Sequence, residues 1–139
     1  MDLRNVPLIF EGNNEAATAE IRELAEALSD RVLELGHEKR RLLHLSAVIM
    51  GNFPVFLLKK AQELLKEKEL PVDLLDQLWK KMAENAIEIG PSIALTGPAN
   101  RGDQATIDRH LEALQGKPDL QQLYRLISSM IMKERIHPR

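Results

Sequence analysis

The sequence predicts a mostly α-helical fold, a C-terminal bundle of about four principal helices preceded by a short strand, helix, strand piece. Three observations predict it. Apolar residues recur at helical spacing through residues 37–131, while the short apolar runs that suit strands are confined to residues 6–35. The chain has 139 residues, 44% of them hydrophobic and 29% charged, which suffices for a real core but leaves little room for two complete domains.

Residues 6–11 (VPLIFE), stopped by Gly12-Asn13-Asn14, combine β-branched and aromatic side chains over the length of a buried strand, with Pro7 fitted to its beginning. Asn14 is placed to cap a helix in which Ala17, Ile21, Leu24, Ala25 and Leu28 recur on one face. Residues 31–35 (RVLEL), closed by Gly36, form a second strand, so that residues 6–35 make a parallel crossover unit. Two parallel strands cannot satisfy their outer edges or cover both faces. The expectation is that further sheet is missing upstream, or that a partner supplies it.

From His37 the period is helical, which places the main boundary near Gly36 and divides the chain into residues 1–36 and 37–139. Leu42, Leu45, Val48, Ile49, Phe53, Phe56, Leu57, Ala61, Leu64 and Leu65 trace one long helix, with Pro54 inside it predicting a kink. A second helix carries Leu75, Leu78, Trp79, Met82, Ala86 and Ile87 and ends at Gly90-Pro91; its stripe reads as core. A Gly- and Pro-rich connector follows, with a short helical turn expected at residues 91–95. Asp103 then caps a helix carrying Ile107, Leu111 and Leu114, stopped by Gly116. Pro118 opens the last helix, whose Leu120, Leu123, Tyr124, Ile127, Met130 and Ile131 are expected to face inward.

Nineteen basic against twenty-one acidic residues give a net charge of -2, too balanced to hold a nucleic acid or an anionic membrane surface. Zero cysteines exclude disulfides, thiolate metal sites and a cysteine nucleophile. The first residues lack the apolar stretch of a signal peptide, and no segment approaches the ~20 apolar residues of a membrane span. The expected location is the cytoplasm. Histidines 37, 44, 110 and 137 have no ligand spacing, so no metal is expected, and no nucleophile elbow or GxGxxG turn occurs.

Three places hold candidate chemistry. The connector at residues 95–106, LTGPANRGDQAT, offers Gly97 and Gly102 for close backbone approach, the Arg101 fork, and the helix start at Asp103, a set suited to a carboxylate or phosphate. A tight connection in which Thr96 and Asp103 merely cap backbone groups explains the same residues. Asp103 stands where a Walker motif needs lysine, which excludes that motif. On the long helix, His44, Ser46 and Asn52 interrupt an apolar stretch. His44 and Asn52 lie about 80° apart on an α-helix and can border one cleft as substrate ligands or a proton relay, or can be satisfied inside a bundle. Finally, the basic run at residues 37–41 (HEKRR) opens a helix where the dipole disfavours cations. A bound anion, an acidic partner or plain solvation would each compensate.

Three segments together, RRLLHLSAVIMGNF, ENAIEIGPSIALTGPANRGDQATIDRHLEAL and PDLQQLYRLISSMI, resemble the C-terminal region of the Rossmann-like proteins that carry domain of unknown function 2520. That family is assigned to the NAD(P)-dependent oxidoreductases and is similar in plan to pyrroline-5-carboxylate reductase and to 6-phosphogluconate dehydrogenase. The resemblance runs from Pro7 to about Met132. It implies that residues 6–35 are the last piece of a dinucleotide-binding domain and that the helices are a 6-phosphogluconate dehydrogenase C-terminal-like domain. NAD(P) is then the cofactor of the full-length family protein, with none bound by this chain alone. The resemblance further implies that the helical domain dimerises and lines the substrate cleft. His44 and Asn52 would face that cleft from the long helix, with Thr96, Arg101, Asp103 and Thr106 on the loop at its other side. The catalytic residues are not assigned, since Lys39 lies too near the helix start to be equated with the relatives' lysine.

Two readings follow. The first is the substrate-cleft and dimerisation domain of an NAD(P)-linked oxidoreductase, paired with a Rossmann domain that this chain lacks. The second is a noncatalytic self-association or protein-interaction module, with a carboxylate sensor as a variant of the first. Broad apolar helix faces predict a homodimer through the long helices in either case.

Overall fold

The computed structural model describes residues 2–136, and the chain forms two compact units, Met1–Val72 and Asp73–Arg139. His137 lies outside the described residues.

The first unit opens with the expected crossover. Strand β1 (Leu8–Phe10) pairs in parallel with β2 (Val32–Glu34), Leu8 opposite Val32 and Phe10 opposite Glu34, and helix α1 (Glu15–Leu28) connects them. The Asn14 side chain caps α1 by accepting from the Ala17 N–H at 2.9 Å. Gly12 lets the loop press onto that first turn: a Cβ there would lie 2.7 Å from Thr18 Cα. Ser29, only 1% exposed, closes the unit, its hydroxyl donating to the Val6 carbonyl at 2.6 Å and accepting from the Arg31 N–H at 3.0 Å. The strands are three residues each, shorter than the runs that predict them. Each has a single neighbour among the described residues, so the ladder lasts only where the two segments run side by side. Of the apolar face of α1 only Ala25 is buried, and Ile21, Leu24 and Leu28 are exposed. Two strands are too narrow a platform to cover it.

Helix α2 (His37–Ala47), a π turn (Val48–Asn52) and α3 (Phe53–Lys66) form one continuous helix of 30 residues. Pro54 has no N–H to give its helix and its ring crowds the preceding turn. The strain is relieved by a wider turn, in which the Phe53 N–H reaches the Val48 carbonyl five residues back, and Pro54 then sits in the first turn of α3, where proline is tolerated. The residues of its apolar window are unburied. By length and composition this helix is able to cross a membrane, which corrects the expectation that no segment approaches a span. Residues 42–58 contain no Asp, Glu, Lys or Arg, and their polar members, His44, Ser46 and Asn52, are far outnumbered by apolar side chains. A core helix passes the same test. The switch from strand to helix falls at Gly36, as the sequence predicts, whereas the compact units part later, at Val72. An ion pair from Arg40 to Glu11, the residue after β1, ties α2 to the sheet.

The second unit contains α4 (Asp76–Glu88), α5 (Pro91–Ala94), α6 (Pro98–Arg101), α7 (Gln104–Ala113) and α8 (Pro118–Ile136). The turns at Gly90 and Gly116 have φ of 86° and 82°, as expected of glycines that end helices. Its buried apolar residues are Ala94, Ala99, Ile107 and Leu114. Alanine at 94 and 99 lets short helices approach closely, and α6 packs on both α7 and α8. Two expectations are corrected. Trp79, at 41% exposed, and its neighbours Leu78 and Met82 face solvent rather than a core, and on α8 Met130 is 54% exposed while Ser128 is buried. Periodicity identifies which side of a helix is apolar; it carries no information on what covers that side.

Candidate functional site

The predicted site residues fall in both units, and each group is described in its own. In the second unit, the connector folds as two glycine-opened turns. Gly97 (φ 109°) precedes α6 and Gly102 (φ 74°, left-handed) ends it, so the single turn 98–101 is set off on both sides by backbone that favours glycine. Asn100 Nδ2 donates to the Leu95 carbonyl at 2.9 Å and the Asp103 N–H bonds to the Pro98 carbonyl at 2.9 Å, which fixes the turn.

Asp103 and Thr106 converge. Asp103 Oδ1 accepts from the Thr106 N–H at 3.0 Å and its Oδ2 accepts from the Thr106 hydroxyl at 2.8 Å. Arg109 Nη2 extends the chain by donating to Thr106 Oγ1 at 2.8 Å. The Thr106 hydroxyl and N–H bonds, with the charges of Arg101 and Arg109 beside them, hold the Asp103 carboxyl below its ordinary value, so it is an anion at neutral pH. Both its oxygens are therefore committed to capping α7. Thr96 and Arg101 are exposed, and their side chains make no hydrogen bond among the described residues. They are the members of this set whose side-chain donors are uncommitted among the described residues.

Sequence reasoning missed Arg109 and Asn100. Asp103, Thr106 and Arg109 are spaced i, i+3, i+6 on one helix, a pattern legible in the sequence. A further pair, His110 Nδ1 and Tyr124 Oη at 2.7 Å with the rings edge to face, joins α7 to α8 across fourteen residues and had no such signal.

In the first unit, His44 and Asn52 are both exposed. The turn that accommodates Pro54 changes their relation. An i→i+5 turn uses more residues per revolution, so Asn52, at its end, is rotated back toward the face of His44 and the 80° expected on a plain α-helix narrows. His44 lies with His37, Arg40, Arg41, Leu45 and Val48 along one face of the helix, where their side chains outline a shallow recess open to solvent. Asn52 is not part of that recess.

Of the two helices that follow a parallel strand, α1 has the Ala17 N–H taken by the Asn14 side chain and Thr18 filling the space over Gly12, so its opening turn does not fit the diphosphate of a dinucleotide cofactor.

The model of Domain of unknown function (DUF2520) matches residues 6–131. A solved structure from Bacteroides fragilis, described as a "putative NADP oxidoreductase", is 36% identical, superimposes with a TM-score of 0.88, and is covered over 51% of its length by 96% of this chain. The Thermotoga maritima protein TM1727 is 26% identical with a TM-score of 0.76, the match covering 91% of this chain and 52% of that one. The chain thus spans about half the length of either. No curated protein matches it. The matched span takes in the crossover unit, the long helix and the connector together, and the chain belongs to the DUF2520 family.

Proposed function

We propose that this chain is the helical substrate-cleft and dimerisation part of an NAD(P)-dependent oxidoreductase whose cofactor-binding half lies on residues this chain does not contain. The observation that carries the reading is the 36% identity to one half of an NADP oxidoreductase-like structure, over nearly all of this chain. The two-stranded sheet supports it, because a parallel pair with bare edges is what the end of a larger Rossmann sheet leaves. His44 and Asn52 from the long helix, and Thr96 and Arg101 from the connector, are the residues proposed to meet substrate. Asp103 and Thr106 shape the connector and stand beside them as further candidate contacts. The reaction belongs to the complete protein, for which a cytoplasmic location is part of the proposal.

The exposed face of the long helix supports dimerisation. Leu42, Leu45, Ile49, Phe53 and Phe56 project from it, and Met50 is 78% exposed. Covering such a face with a second copy removes several large apolar side chains from water at about 25 cal/mol per Å². Light scattering after size exclusion tests this: a dimer is expected, and Leu45→Glu with Phe53→Glu should yield monomer. A native chain monomeric at high concentration would overturn the dimer. Cofactor titration tests the division of labour, since tight NADPH binding by this chain alone contradicts it. The same exposed faces support the second reading, a noncatalytic association module. Joining this chain to the dinucleotide-binding half of the Bacteroides fragilis relative separates the two, because NADPH oxidation in the presence of substrate is possible only under the first.

A further inference from the structure

We draw no further inference here: the strongest candidate, the exposed apolar face of helix α4 formed by Leu75, Leu78, Trp79 and Met82, carries nothing because nothing in the structure shows what covers it.

Discussion

The Phe53 N–H bonds to the carbonyl of Val48, five residues back instead of four, and the residue that forces this is its neighbour Pro54. The wide turn rotates everything after it, Asn52 included, relative to the basic face that begins at His37. A residue without a backbone N–H has thereby set the angular relation between two candidate ligand residues.

Replacing Pro54 with alanine removes the cause. The helix is expected to revert to i→i+4 bonding through residues 48–53, with a gain in stability of up to ~3 kcal/mol, the cost of proline in a helix interior. Backbone carbon shifts and thermal unfolding check it. A stability loss, or a π turn that persists, would show that something other than Pro54 holds the turn.

Asp103 gives a pH dependence with a defined sign. Its folded-state value is lowered by the Thr106 hydroxyl and N–H, so the cap contributes stability that is present above the unfolded value of about 4 and fades as pH falls through the folded one. The difference in Tm between the native chain and Asp103→Ala should therefore be full at pH 7 and shrink toward pH 3. A difference that stays constant across that range would contradict the role of the charge.

Two glycines should respond oppositely to the same change. Gly12→Ala puts a methyl 2.7 Å from Thr18 Cα, against backbone that cannot yield, and is expected to cost about 1–3 kcal/mol. At Gly36 the nearest atom to such a methyl is Glu11 Oε1 at 3.7 Å, ordinary contact, so Gly36→Ala should be tolerated. Urea unfolding of the two variants gives the comparison, and equal effects would refute the packing at Gly12.

The His110–Tyr124 contact should act as a clasp between α7 and α8. A double-mutant cycle with His110→Ala and Tyr124→Phe is expected to give a coupling of about 0.5–1.5 kcal/mol, with the exposed setting favouring the lower end. Strict additivity of the two substitutions would show that the hydrogen bond contributes nothing.

Much of the fold was legible in the sequence by itself. The order of elements, the caps at Asn14 and Asp103, the stops at Gly90 and Gly116 and the family all depend on contacts within four or five residues or on the residues themselves, and a linear reading reaches those. Only the tertiary structure decided the rest. The ion pair that draws Arg40 to Glu11, the clasp between His110 and Tyr124, and the solvent exposure of Trp79 and the long helix join or separate residues far apart in the chain. Even the π turn, local as it is, depends on which of two strained geometries around Pro54 costs less, and spacing alone does not state that balance. The period of apolar side chains says which face of a helix seeks cover, and three-dimensional packing alone settles whether it finds any.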